Sequence, residues 1–480
     1  MKLSELIHQN EIILLPKEIG DIEVNGVGAD SRRIKPGELF FSLDGSIANM
    51  YDAVIKGASA VVTDTVTDGR FPVPTVITKD AREAFALACL RIYGDPQKKL
   101  RLCAVTGTNG KTTTANMLSA ILYEGGYTSC VIGTEGADFG GETIKTGYTT
   151  PPPDVLAPLL KRAADENIDF VVMEASSHAL DQKRLCGLDF EVGIFTNLSR
   201  DHLDYHKSTE AYSAAKAELF RKCRHSVLNF DDPHAYEMAW AANDEIWYYS
   251  AKDFDVDFYA DNIIHTEWGV QFDFCSVGTR EHISSPLFGS YSVLDMLAAA
   301  SAASVLGIKA RLSARALERF HGAPGRMERI DTKTGFHVII DFAHTPDAMK
   351  NVLSAARGFT PGRVITVFGC GGDRDCGKRA EMGKVACNLS DTVIITSDNP
   401  RSEEPNDIID DIISQIKSRE NYITEPDRGK AIELALSTAE KGDTVMLLGK
   451  GAESFIIVGE KKLPFSDKEQ AENIILKKGL

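Results

Sequence analysis

From Leu102 onward the chain repeats one hydrophobic pattern. A short, continuous apolar run gives way to a polar or glycine-bearing loop, and then to a longer segment with helical spacing. Leu102 to Val105, Cys130 to Ile132, Phe170 to Met173 and Ile194 to Thr196 are runs of this kind, and Thr112 to Tyr123 reads as a helix. The alternation resumes after a loop at Gly322 to Gly325, with runs at Val338 to Ile340, Val364 to Val367, Thr392 to Thr396 and Thr444 to Leu448. Strands alternating with helices predict parallel sheets covered on both faces, with functional residues at the carboxyl ends of the strands. Ahead of them stand Glu38 to Leu43 and Ala60 to Thr63, then a helical stretch from Asp80 to Tyr93 closed by the breaker Gly94-Asp95-Pro96. The reading is α/β throughout, in three domains at residues 1–97, 98–326 and 327–480, the last two doubly wound.

Composition narrows the function more than the fold. The 480 residues carry a net charge of −16, which argues against nucleic acid or an anionic membrane as the main partner. It leaves room for a local basic pocket. No apolar stretch approaches the ~20 residues of a membrane span. Met1 to Pro16 mixes Glu5, His8 and Glu11 among its apolar residues, unlike a signal peptide. Nine scattered cysteines without a C-x-x-C, Cys370 and Cys376 being the nearest pair, predict reduced thiols in a cytoplasmic protein.

The chemistry concentrates where strands end. TGTNGKTTT, Thr106 to Thr114, lies between a predicted strand and a helix. A phosphate loop needs small residues so that backbone N–H groups can close on oxygens, a lysine for the terminal phosphates and a hydroxyl for magnesium. Lys111 and Thr112 meet the last two needs, with a helix N-terminus behind them, although Val105 stands where the common P-loop pattern has glycine. MEASSHALDQKR, Met173 to Arg184, places Glu174 at a strand end where it can hold a cation, with Ser176, His178, Gln182 and Arg184 after it. A Ser–His hydrolase would need a G-x-S-x-G elbow, which is absent, and a capped loop explains the cluster equally well. TNLSRDHLDYH, Thr196 to His206, offers Asp201, His202, Asp204 and His206. Zinc is open to those residue types, and magnesium beside a nucleotide suits them better.

Downstream, Tyr212, Ala215, Lys216, Leu219 and Phe220 share one helical face. A lysine there either snorkels to water or is a desolvated amine able to carry a carbamate. Three later stretches also follow strands. DFAHTPDAM presents Asp341 and His344 to a nucleotide. FGCGGDRDCGKR carries Arg374, Lys378 and Arg379, which suit an anion. SDNPRSEEP sets Arg401 on a turn made by Asn399-Pro400. Each alone reads equally well as an exposed turn; together at strand ends they read as one site.

In this set the chain resembles the Mur ligases, ATP-dependent amide-forming enzymes that build the peptidoglycan stem peptide. The likeness runs from about Asp30 to about Asp467, and the phosphate loop without a leading glycine, NLSRDHLDYH, GAPGRME (Gly322 to Glu328) and DFAHTPDAM are in the family's form. ADSR, TTP and EASSHALDQKR resemble the branch that adds the third residue of the peptide, and SDNPR its diaminopimelate-adding members. The resemblance implies an N-terminal UDP-binding α/β domain, a central P-loop ATPase-type parallel sheet and a Rossmann-like C-terminal domain. It implies that Ser31, Thr149, Thr150, Ser176, Gln182 and Arg184 bind the UDP-MurNAc-dipeptide, UDP-MurNAc-L-Ala-D-Glu. Gly107, Thr108, Asn109, Gly110, Lys111, Thr112, Thr113, Asp295, Arg326 and Asp341 would bind ATP. Arg374, Asp398, Asn399, Pro400, Arg401, Gly449 and Glu453 would bind meso-diaminopimelate. Lys111, Glu174, His202 and Lys216 would be catalytic, with Mg2+ held by Thr112, Glu174, His202 and carbamylated Lys216. A monomer is expected.

Diaminopimelate differs from lysine by a distal carboxylate, which a guanidinium meets bidentately, so Arg401 is the residue expected to discriminate. Two departures bear on the nucleotide. Ser292 and Asp295 replace the family's usual asparagines, leaving Asp295 to accept from the adenine amino group, and Phe342 replaces the commoner tyrosine. The alternatives are a lysine-adding relative, a folylpolyglutamate synthetase, or a nucleotide-binding switch that makes no bond.

Overall fold

The computed structural model describes residues 1–14, 22–66, 71–266, 269–416 and 421–480. Leu15 and Pro16, the end of the stretch weighed as a leader, lie outside them. Three principal sheets follow one another along the chain. The first has the order Ile12–Leu14, Thr75–Thr78, Ala60–Thr63, Glu38–Ser42, Gly26–Gly28, parallel except for the Ile12–Leu14 edge. Its helix Ala81–Ile92 starts where Asp80 accepts from the Glu83 amide at 2.9 Å, satisfying an otherwise orphaned N–H.

The central sheet has eleven strands. Its parallel heart is β1 (Arg101–Thr106), β2 (Ser129–Gly133), β3 (Phe170–Glu174) and β4 (Phe190–Phe195), in the spatial order β2-β3-β1-β4. Nearly every residue of β1 and β3 is buried, as strands covered on both faces must be. Each buried Val, Leu, Phe or Met there contributes roughly 1.5–3 kcal/mol. Helix α1 (Lys111–Glu124) follows β1 and packs against the long helix Ser290–Val305, whose one charged residue, Asp295, is buried.

The expectation of a parallel sheet holds for this heart and fails at its margins. Beyond Glu245–Ser250, strands Phe258–Thr266, Gly269–Ser276 and Thr279–Ser285 form an antiparallel meander, and Gly136–Asp138 with Thr143–Ile144 extend the other edge antiparallel. Antiparallel neighbours need only short connections, where parallel ones need a crossover.

In the last sheet β5 (His337–Asp341), β6 (Val364–Phe368), β7 (Thr392–Ile395) and β8 (Thr444–Leu448) run parallel in the order β5-β8-β6-β7. Glu328–Asp331 adds antiparallel outside β5, and Tyr422–Thr424 parallel outside β7. Among the described residues no helix is long and apolar enough to cross a membrane. None of the nine cysteines is paired.

Candidate active site

The carboxyl ends of the central and C-terminal sheets face one another, and two cavities open between them. The first, about 310 Å³, lies against Asn109, Gly110, Thr113, Asp295, Arg326 and Asp341. The second, about 330 Å³, takes in Lys111, Thr112, Glu174, His202, Arg374 and Arg401. Asn109, Gly110, Arg326 and Phe342 line both.

The loop after β1 is tightly held. Asn197, just past β4, accepts from the Asn109 amide at 3.0 Å and donates to its carbonyl at 3.1 Å. Thr108 accepts from the Ser199 amide at 3.0 Å. Gly110 has φ +86°, and a Cβ there would lie 2.3 Å from Asp295 Oδ1, so only glycine fits. Helix α1 starts directly after it, and the free amides of a helix N-terminus suit an anion. Lys111 Nζ donates to the carbonyls of Gly107 and Thr108, both at 2.9 Å. Burial lowers its pKa, an effect that Glu174 opposes. Gly107 and Thr108 otherwise shape the loop behind the first cavity, which neither lines.

Glu174, the last residue of β3, is buried. Its Oε1 accepts from Thr112 Oγ1 at 2.9 Å and from the Thr134 amide at 2.8 Å. Thr112 in turn accepts from Arg326 Nη2 at 3.2 Å. Thr134 escaped sequence reasoning, being a lone threonine past β2; its position at a strand end was the one available signal. The hydroxyl of Thr112 and the carboxylate of Glu174 form an oxygen pair of the kind magnesium takes beside phosphates. Burial first, and then the neighbouring His178 and His344, lower His202 to about 3 against the pull of Asp201, and so favour the neutral ring. Among the described residues no three His, Cys, Asp or Glu side chains converge as zinc would require. His206 instead packs inward against Ser177 Oγ at 3.0 Å.

Lys216, on helix α2 (Thr209–Ala217), is 1% exposed. It does not snorkel: Nζ donates to the Gly107 carbonyl at 2.8 Å, behind the phosphate loop, and lies 4.4 Å from the Tyr212 ring centre. Burial, reinforced by the charge of Lys111, drives its pKa well down. As an amine it lines neither cavity.

Of the residues expected at the dipeptide, Thr149 and Ser176 line the second cavity. Thr150 stands behind them, its hydroxyl donating to the Glu174 carbonyl at 2.7 Å and its carbonyl accepting from Arg184 Nη1 at 2.8 Å. Gln182 Oε1 accepts from Arg184 Nη2 at 2.8 Å. Ser31 is not brought to either cavity: it is buried in the first unit, where its carbonyl accepts from Lys56 Nζ at 3.0 Å.

On the facing side Arg374, Asp398, Asn399, Arg401, Gly449 and Glu453 all reach the second cavity, whereas Pro400 turns the chain without lining it. Arg401 has φ +53° and Nη1 donates to the Gly372 carbonyl at 2.6 Å. Asn399 Nδ2 donates to Glu453 Oε2 at 2.9 Å, which Lys450 Nζ also meets at 2.9 Å. Guanidinium and carboxylate groups thus share one wall, as an amino acid with both charges requires. His344 faces Asp201 at 3.7 Å in the second cavity, which the loop after β1 also lines. One expectation changes here. Arg379 does not face an anion site, because its guanidinium is engaged by Glu403 at 2.8 Å and Asp411 at 2.9 Å.

In the first cavity, burial raises Asp295 to about 8 despite Thr114 and Arg326 nearby, so at neutral pH it is mostly a protonated acid. Asp341 is also raised by burial, and its two oxygens accept from the Met327 and Ala343 amides, both at 2.8 Å. The buried Tyr291 hydroxyl has no hydrogen-bond partner among the described residues, and the residue lines the same cavity. Phe342 stacks under Arg326, 4.5 Å from its guanidinium carbon, so the ring alone supplies this contact.

Residues 105–303 match the Mur ligase middle domain and residues 325–451 the Mur ligase glutamate ligase domain. The UDP-N-acetylmuramoyl-L-alanyl-D-glutamate–2,6-diaminopimelate ligase 1 of Clostridium acetobutylicum is 39% identical over 99% of both chains. The corresponding ligase of Gloeobacter violaceus is 38% identical over 100% of this chain and 99% of its own. A solved structure of a UDP-N-acetylmuramoyl-L-alanyl-D-glutamate–2,6-diaminopimelate ligase superposes with a TM-score of 0.70 at 32% identity, covering 100% of this chain and 99% of that one. Folylpolyglutamate synthase of Mycobacterium tuberculosis shares the fold, with a TM-score of 0.65 at 17% identity over 77% of this chain and 92% of its own. With the glycine-bearing loop after β1, a facing carboxylate and a wall of charged side chains in one cleft, and with relatives alike end to end, the chain belongs to the Mur ligase family.

Proposed function

We propose that this ligase joins meso-2,6-diaminopimelate to UDP-MurNAc-L-Ala-D-Glu at the expense of ATP. One observation carries the reading: the phosphate loop and the wall bearing Arg374 and Arg401 line a single cavity. A nucleotide switch has no use for that wall. The relatives named as 2,6-diaminopimelate ligases support the choice of acceptor.

A carboxylate oxygen of the D-glutamate residue attacks the γ-phosphorus, and the bond to ADP breaks. The acyl phosphate is then attacked by the neutral amine of diaminopimelate, which gives up a proton as phosphate leaves. Phosphoryl transfer is mainly positioning and charge neutralisation. Lys111 and the α1 amides take the phosphates, Arg326 spans from the C-terminal side to Thr112, and the closed cleft keeps water from the acyl phosphate. Thr112 and Glu174 would hold one magnesium, and His202 with carbamylated Lys216 another, neutralising phosphate charge when bound. The lowered pKa of Lys216 supports a carbamate, since CO2 adds only to the neutral amine.

We assign residues 1–97 to the uridine nucleotide, 98–326 to ATP and 327–480 to the amino acid. Ser31 would meet the far end of the extended substrate, and Gln182 and Arg184 its middle. Asp295, as an acid O–H or an acceptor, would address the adenine, and Asp341 the ribose. We expect a monomer, and an ATP-driven reaction belongs in the cytoplasm.

Phosphate release with Mg-ATP and UDP-MurNAc-L-Ala-D-Glu should depend on meso-diaminopimelate, with the tripeptide product seen by mass. Equal turnover with L-lysine would overturn the acceptor, and release indifferent to either amino acid would overturn the ligase reaction.

A further inference from the structure

Helix α3 (Arg428–Thr438) lies across β6, β7 and β8, and α4 (Asp467–Lys478) packs on α3. Their first residues form a buried pair, with Arg428 2% and Asp467 0% exposed. Arg428 Nε and Nη2 grip the two Asp467 oxygens at 2.7 and 2.6 Å. The same guanidinium donates from Nη2 to the Leu448 carbonyl at 3.0 Å and from Nη1 to the Ser397 carbonyl at 3.3 Å. Leu448 ends β8 and Ser397 lies just past β7, two strands that are not neighbours, because β6 runs between them.

Each of these carbonyls stands at the head of a loop that reaches the second cavity. Ser397 leads into Asp398, Asn399 and Arg401, and Leu448 into Gly449 and Glu453. There is no slack between the two loops. A Cβ on Gly369, at the exit of β6, would lie 2.3 Å from the Thr396 carbonyl oxygen, and one on Gly449 would lie 2.8 Å from Asp398 Oδ2. Arg428 and Asp467 themselves line no part of the cavity. Well-packed apolar residues would hold two helices together as well as a buried ion pair does. A planar fork with fixed donors does something further: it sets a distance between the groups it bonds.

We propose that Arg428, anchored by Asp467, is a positioning residue of the acceptor site, fixing the spacing between the Asp398–Arg401 and Gly449–Glu453 loops. The C-terminal helix α4, which lies beyond the matched glutamate ligase domain ending at residue 451, thereby belongs to the amino-acid specificity of the enzyme. This rests on reading the cavity as the diaminopimelate site.

The test compares full-length wild type, Arg428→Lys, Asp467→Asn and Asp467→Glu, measuring KM for each of the three substrates, with meso-diaminopimelate and L-lysine run side by side. The acceptor KM should rise roughly 10- to 100-fold in Arg428→Lys and Asp467→Asn, with KM for ATP and the dipeptide unchanged and partial recovery in Asp467→Glu. An unchanged acceptor KM, or a uniform loss that tracks the folded fraction by circular dichroism, overturns the proposal. Wild type that uses lysine in place of diaminopimelate overturns the acceptor reading alone, and the KM split is then read on lysine. Wild type that uses neither overturns both.

Discussion

Lys378 reaches from the C-terminal sheet to within 3.4 Å of Asp201, on the loop after β4 of the central sheet, with both side chains almost out of solvent. Burial alone would push the Asp201 carboxyl up. His344 and Lys378 outweigh it and hold the group far below the usual carboxylate range. Arg200 with Asp375 at 3.5 Å and Asn109 with Asp347 at 3.4 Å cross the same cleft. Breaking a buried pair by removing one partner costs about 3–5 kcal/mol, more than such rim contacts supply.

Lys378→Met should therefore loosen the closed arrangement. Small-angle scattering of the free protein should show a larger radius of gyration, and kcat/KM should fall roughly 100-fold as the closed, oriented state is lost. Asp201→Asn should do the same, and the double variant should be no worse than either single one. Unchanged scattering in both single variants would refute the pair as the fastening.

Arg401→Lys keeps the charge and loses the fork. A charge-assisted hydrogen bond is worth about 1.5–3 kcal/mol, so kcat/KM for diaminopimelate should drop roughly 10- to 100-fold while lysine turnover changes little. Competition between the two acceptors, read by product mass, gives the ratio directly. Equal losses on both would place the discrimination elsewhere.

The buried amine of Lys216 should respond to CO2. Enzyme freed of bicarbonate should lose activity and regain it on adding bicarbonate, whereas Lys216→Arg should stay inactive under both conditions. Intact mass at mild pH should show one added CO2 on the wild type. Activity indifferent to bicarbonate would leave Lys216 with a structural role on the Gly107 carbonyl.

Asp295 predicts a pH effect on stability. Its folded pKa of about 8 lies above the ordinary 3.8, so between these values the unfolded chain binds fewer protons than the folded one, and stability falls as pH rises. Asp295→Asn removes that loss and keeps an oxygen for Thr114. Its Tm should exceed that of wild type at pH 8, by roughly 2–4 °C per kcal/mol recovered, and the gap should narrow toward pH 4. A constant gap at all pH values would contradict the assignment.

Much of the frame was legible because strands buried on both faces appear as uninterrupted apolar runs; β1, β3, β6 and β8 are such strands. The meander from Phe258 to Ser285 was not, since its residues alternate between buried and exposed and its register shifts between Asp261 and Ile264. The phosphate loop, Glu174, His202 and Arg401 could be found because each follows a recognisable run. Lys378 stood in a stretch read as cationic, but nothing in sequence spacing reveals a partner 177 residues away. Lys216 was placed on an apolar face correctly, yet only packing shows which carbonyl it meets. Arg428 and Asp467 gave no signal, because their importance lies in which backbone carbonyls come to rest beside them.

The wall common to the two cavities has a pharmacological consequence. A single compound could be grown from a purine-like head, past Gly110 and Arg326, into the room facing Arg374 and Arg401 without leaving the protein surface. Its head would resemble ligands of many ATP users, so selectivity would have to come from an anionic tail shaped for two guanidinium groups opposite a phosphate loop.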